Sequence, residues 1–134
     1  MADDIRSSAN GGAGTYDLVL EERRGYFFAG IKAALLSHGQ ITSYQRKIAN
    51  AIGPRNVDRV MISRDVPSSA TIAELNGIMK TAQLWNLANI RYALVDLNSN
   101  NIDEYQFALL YAASRGVDIN VFNSIPAAEH WLLA

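Results

Sequence analysis

The sequence predicts an α/β fold: a mixed sheet of about five strands that opens in an antiparallel hairpin and continues in parallel strands, with about four helices. Three observations predict it. The stretch from Ile90 to Ala134 reads strand, helix, strand, helix with almost no intervening residue, and strands joined through a helix imply parallel pairs with right-handed crossovers. Upstream, two apolar runs flank a short polar turn, the pattern of a hairpin. Between these ends, apolar residues recur at helical spacing twice, each time after a capping-box signature.

Taken in order, residues 1–14, with Ser7-Ser8-Ala9-Asn10-Gly11-Gly12-Ala13-Gly14, offer too little apolar side chain to offset the entropy of ordering them, and are expected as a disordered tail. Residues 15–134 are then expected as a single domain. Tyr16–Leu20 and Tyr26–Ile31 form the hairpin around the polar segment Glu21 to Gly25. Gly30 weakens its second strand, and Ala33-Ala34-Leu35-Leu36 fits either more strand or a helical turn. Thr42-Ser43-Tyr44-Gln45 has capping-box spacing for a first helix with Ile41, Tyr44, Ile48 and Ile52 on one face, stopped at Gly53-Pro54. Arg59–Ser63 is the third strand.

Thr71-Ile72-Ala73-Glu74 opens a second helix with Ile72, Leu75, Met79, Ala82 and Trp85 inward. Ile90–Leu97 is the fourth strand, ended by Asn98-Ser99-Asn100-Asn101, and Asn101-Ile102-Asp103-Glu104 caps the third helix. Ser114-Arg115-Gly116 closes that helix, because glycine takes the left-handed C-terminal conformation cheaply. Val117–Phe122 is the last strand, and Ser124-Ile125-Pro126 opens a final helix ending in Trp131-Leu132-Leu133.

Composition narrows the function classes. The 134 residues include no cysteine, so neither a disulfide nor a thiolate contributes. No apolar run approaches the roughly 20 residues of a spanning helix, and the first residues lack the apolar core of a secretory signal, so a cytoplasmic protein without membrane insertion is expected. A net charge of −1 gives no reason to expect nucleic-acid binding, which rests on neutralising many phosphates. The two histidines, His38 and His130, stand at no metal-ligand spacing and read as surface or packing residues, so neither a metal nor a cofactor is expected. No phosphate loop, dinucleotide fingerprint or nucleophile elbow is present.

The element order, with Leu20-Glu21-Glu22-Arg23-Arg24-Gly25-Tyr26-Phe27, Tyr92-Ala93-Leu94-Val95-Asp96, Ser114-Arg115-Gly116-Val117 and Val121-Phe122-Asn123-Ser124-Ile125-Pro126-Ala127-Ala128-Glu129-His130-Trp131-Leu132, resembles the STAS superfamily of anti-sigma-factor antagonists and sulphate-transporter tails, in particular its bacterial STAS-like proteins of unassigned role. The resemblance covers about residues 16 to 133. It implies a noncatalytic regulatory module that binds a protein partner, a kinase or an anti-sigma-like regulator, and in switch-type members accepts phosphate on a serine within Asp-Ser-Ser-Gly. That site falls on Asp65-Val66-Pro67-Ser68-Ser69-Ala70, so Ser68 and Ser69 are the implied phosphoacceptors. Pro67 stands where the family has aspartate and Ala70 where it has glycine, so the motif is not intact. Read without the resemblance, Ser68, Ser69 and Thr71 are the residue types that cap a helix anywhere.

A second reading, from the residues themselves, is a small-molecule or lipid site at the carboxyl edge of the sheet. Asp65 and Asp96 close successive parallel strands there, with Tyr26, Phe28 and Tyr92 as aromatic walls. The same two aspartates read equally as turn caps. A hydrolase built on them is not expected, because no nucleophile with a paired base accompanies them. Finally, Phe107–Ala113 is apolar around most of its helix, which suits either deep burial or a homodimer through that helix.

Overall fold

The computed structural model describes residues 5–11, 14–68, 74, 76–77, 80, 89–98 and 102–134. Its centre is one six-stranded sheet whose strands lie side by side in chain order. They are β1 (Ile5–Gly11), β2 (Gly14–Arg23), β3 (Tyr26–Ala33), β4 (Arg59–Asp65), β5 (Arg91–Asp96) and β6 (Asp118–Phe122). β1, β2 and β3 pair antiparallel, while β3 through β6 pair parallel. The described helices are α1 (His38–Ile52), α2 (Ile102–Ser114) and α3 (Ile125–Leu132), with a single 3-10 turn at Gly53–Arg55 after α1. The α/β class, the antiparallel opening and the parallel continuation are as the sequence predicts; the five expected strands are β2 to β6.

Three details differ from expectation, each for a physical reason. Ile5–Gly11, expected within a tail, is an edge strand in register with β2 from Ile5 opposite Leu20 to Gly11 opposite Gly14. Such a strand is held by its backbone ladder, to which apolar composition is blind. The hairpin turn is shorter than expected, only Arg24-Gly25, because β2 runs on to pair Arg23 with Tyr26. Gly25 supplies the φ of 89° that a side chain resists at the second central position of such a turn. α1 begins at His38, four residues before the expected box, because Ser37 and Gln40 form a capping box of their own: Ser37 Oγ accepts from Gln40 N at 3.2 Å and Gln40 Oε1 from Ser37 N at 2.8 Å. His38 is thereby the exposed first residue of a helix. The helix expected over Ile72 to Trp85 lies mostly outside the described residues, and Glu74, Asn76, Gly77 and Lys80 within it are helical.

Alternation along the strands divides the core into two layers. Leu18, Leu20, Phe27, Ile31, Val60, Ile62, Tyr92 and Leu94 face α1 and α2, meeting Ile41, Tyr44, Ile48 and Ile52 from the first and Tyr105 and Ala112 from the second. On the reverse face Tyr26, Phe28, Met61, Ala93 and Val95 meet Ala128 and Leu132 of α3. Burying each large apolar side chain contributes about 1.5–3 kcal/mol, so the thicker first layer carries most of the stabilisation. α3 is fastened at its edges by Tyr26 Oη donating to Glu129 Oε2 at 2.7 Å and by Arg91, whose Nη1 donates to the Trp131 carbonyl at 2.8 Å while its guanidinium lies 4.0 Å from the Trp131 ring centre.

Candidate functional site

Along β4, Val60, Ile62 and Arg64 point to the same side, so the strand that supplies two core residues also drives an arginine into the first core layer. In the register of the sheet Arg64 stands between Ile31 of β3 and Asp96 of β5. It is 2% exposed. A charge so placed requires partners, since an unpaired buried ion costs several kcal/mol.

The structure supplies them from several elements. Arg64 Nε and Nη2 donate to Glu74 Oε2 and Oε1 at 3.1 and 3.0 Å, a two-pronged pair matched to the planar guanidinium. Nη1 donates to the backbone carbonyl of Ser68 and stands 3.7 Å from Asp96 Oδ2. Glu74 Oε2 also accepts from Tyr44 Oη of α1 at 2.7 Å, and the Glu74 carbonyl accepts from Gln45 Nε2 at 2.7 Å. Asp96 accepts from Tyr105 Oη of α2 and, through Oδ1, from Asn98 N at 3.2 Å. Glu74 and Asp96 are 2% and 1% exposed. Burial, reinforced by the adjacent Glu74 charge, holds the Tyr44 hydroxyl well above its usual pKa, so it remains a donor.

The residues singled out from sequence are distributed as follows. Asp65, half-buried at the end of β4, accepts from Asn98 Nδ2 at 2.6 Å. Asn98 therefore ties Asp65 to Asp96, and Asp96 capping the Asn98 amide is the turn-capping arrangement. Ser68 is exposed beside exposed Pro67, while Ser69 and Thr71 lie outside the described residues. Leu97, 44% exposed, follows β5 at the same edge, its amide donating to the Arg64 carbonyl at 3.0 Å.

The aromatic wall proposed for a ligand does not assemble. Tyr26 and Phe28 belong to the reverse face and Tyr92 to the first core layer, because Phe28 pairs with Met61 while Tyr92 pairs with Val60, one residue out of phase. Tyr26, one residue before the Phe27–Val60 pair, also lies at the opposite end of the strands from Asp65. All three are buried, and desolvation pushes the Tyr92 hydroxyl up to about 12. The arginine guanidinium of Arg23 stacks 3.7 Å above Phe28, closing that ring from solvent. His130 is exposed in the last turn of α3, and among the described residues no three His, Asp or Glu side chains gather as a ligand set.

Arg64, Glu74, Tyr44 and Tyr105 were not singled out from sequence as site residues. The available signal was Arg64 itself: in Val60-Met61-Ile62-Ser63-Arg64 it occupies an inward position by alternation, which obliges a carboxylate on the covering helix. On α2, Tyr105 and Ala112 are buried, whereas Leu110 and Tyr111 are 72% and 42% exposed. Among the described residues no helix is long and apolar enough to cross a membrane. No family model matches the chain, and no curated protein matches it.

Proposed function

We propose that this chain is a noncatalytic interaction module of STAS-like type that docks a protein partner at the carboxyl edge of β4 and β5, with Ser68 as the exposed hydroxyl whose modification gates docking. The observation that carries the reading is the hold on Ser68: its carbonyl is fixed from beneath by buried Arg64 while its side chain faces outward. A segment so anchored presents its outer surface in one shape, which lowers the entropy lost on docking. The acidic residues that a catalytic reading needs are committed elsewhere, Asp65 to Asn98 and Asp96 to Tyr105, Asn98 and Arg64. A phosphate on Ser68 would add close to two negative charges to this exposed segment, which a docked surface would meet directly.

Native mass spectrometry of the protein purified gently from its own host tests this. The expected result is a stoichiometric protein partner, retained by Ser68→Ala and lost by Ser68→Asp. Equal retention by both variants removes the gating, and a copurifying small molecule without any protein partner replaces the module by a ligand-binding protein. Self-association through α2 is a second reading, favoured by the exposure of Leu110 and Tyr111. Light scattering at high concentration decides it, since a monomer excludes it.

A further inference from the structure

The two edges of the sheet are unlike. At one, β6 is five residues long, starts at exposed Asp118 and has its Val121 amide taken by the Asn120 side chain at 2.9 Å. Shortness and charge keep edge strands from pairing with other chains, and the bonded amide is one donor fewer for a newcomer. At the other edge, β1 runs seven residues in unbroken register with β2, with no bulge, no proline and Arg6 as its one charge.

The neighbouring hairpin fixes which backbone groups of β1 face outward. A two-residue turn is closed by a hydrogen bond between its flanking residues, here Arg23 and Tyr26, and along an antiparallel pair the bonded residues recur at every second position. Glu21, Val19 and Asp17 therefore bond toward β3, while Leu20, Leu18, Tyr16 and Gly14 turn to β1 and meet Ile5, Ser7, Ala9 and Gly11. The N–H and C=O groups of Arg6, Ser8 and Asn10 are left pointing away from β2, along the open edge of the sheet.

We infer that this edge pairs with β1 of a second copy of the chain, antiparallel, with a two-fold axis at Ser8. That register brings every outward residue into a bonded pair: Ser8 with its own counterpart, and Arg6 with Asn10 of the second copy, twice. Each such pair exchanges two bonds, so about six hydrogen bonds form, more than in any slipped register, and the two arginines do not face one another. The two six-stranded sheets become one continuous sheet. Because β6 is guarded, each copy offers one edge, so the assembly closes as a dimer and does not run on as a fibre. The pairing is independent of docking at the ends of β4 and β5, which lie further along the strand order.

Light scattering of the full chain over a dilution series tests it, with variants that follow the alternation. A dimer is expected, and Ser8→Pro should make it a monomer: proline removes an outward N–H and leaves the bonds from β1 to β2 intact. Asn10→Asp places a carboxylate opposite Arg6 twice per dimer and should lower the dimer Kd by about two- to thirtyfold, while Asn10→Lys should raise it by a similar factor. In the dimer the amides of Arg6, Ser8 and Asn10 should exchange as slowly as those of Ser7 and Ala9. In the Ser8→Pro monomer the amides of Arg6 and Asn10 should exchange fast and those of Ser7 and Ala9 stay slow. A monomer at the highest concentration the protein tolerates overturns the inference. So does a dimer that survives Ser8→Pro and is lost by Leu110→Glu, which assigns the contact to α2. Should Ser8→Pro fail to fold, the two Asn10 variants decide, and an equal Kd for both overturns the pairing.

Discussion

Replacing Glu74 with glutamine removes one charge and little volume, so its effect reads the electrostatics of the buried cluster almost alone. Glu74 accepts from Arg64 twice, at 3.0 and 3.1 Å, and from Tyr44 at 2.7 Å, with its side chain 3% exposed. An amide offers one acceptor oxygen where the carboxylate has two, and its NH2 meets donors. Arg64 then keeps at most one bond to residue 74, besides the Ser68 carbonyl and Asp96 at 3.7 Å. Breaking a buried pair from one side costs about 3–5 kcal/mol, because the remaining charge stays desolvated. For a domain of 134 residues that corresponds to a fall in Tm of roughly 10–20 °C. Urea titration followed by far-UV circular dichroism measures it, with Glu22→Gln as the control. Glu22 pairs with Arg55 at 3.0 Å but is 52% exposed, and its loss should cost at most about 1 kcal/mol. A Glu74→Gln protein within about 1 kcal/mol of the parent would refute the reasoning, for it would mean that water reaches the pair.

Burial raises the Tyr92 hydroxyl to about 12 from an unfolded value of 10.0, so the folded state holds a proton that the unfolded state loses above pH 10. Stability should therefore fall as pH rises from about 10 to 12, by on the order of 2 kcal/mol from this residue, and Tyr92→Phe should flatten that slope in denaturant titrations across the interval. Gly30→Ala places a methyl group 2.9 Å and 3.2 Å from two ring carbons of Phe28, which must slide from beneath Arg23. The expected cost is about 1–3 kcal/mol by urea unfolding. Arg91→Ala removes the bond to the Trp131 carbonyl and the stacking on its ring, and Trp131 emission should shift to the red as α3 loosens. An unshifted spectrum would mean that Ala128 and Leu132 suffice to seat the helix.

What the sequence discloses and what it conceals follow from the range of the interactions. The parallel strands and the terminal helix are legible because each is written locally, in apolar runs bounded by Ser114-Arg115-Gly116 and Ser124-Ile125-Pro126. β1 is not, because Ser7, Ser8 and Asn10 bring no apolar pattern and the strand is fixed by β2 from outside. The start of α1 is ambiguous for a different reason: two capping boxes lie within one helical turn or so of each other, and Gly39 disguises the true one. At the candidate site, Asp65 and Asp96 are correctly placed at one edge by their positions at strand ends. Gathering Tyr26, Phe28 and Tyr92 with them fails because strand phase is a long-range property: Tyr92 and Phe28 differ by one residue of register across β4, which reverses the face. The pairing of Arg64 with Glu74 is likewise a contact between elements ten positions apart, visible in the sequence only as an obligation to find some acid.

The strictly sequential order of the strands bears on where anything can bind. In sheets whose order reverses part-way, adjacent crossovers leave to opposite sides and a crevice opens between them at the strand ends. Here order runs from β1 to β6 without reversal, and α1 and α2 lie on one side with Glu74, whose partners are Tyr44 and Arg64. α1 and α2 thus cover the same face of the sheet, and Arg64, Glu74 and Asp96 are buried on it. For the docking proposed above, the consequence is that a partner would read the contour of Val66–Ser68, which Arg64 pins from below.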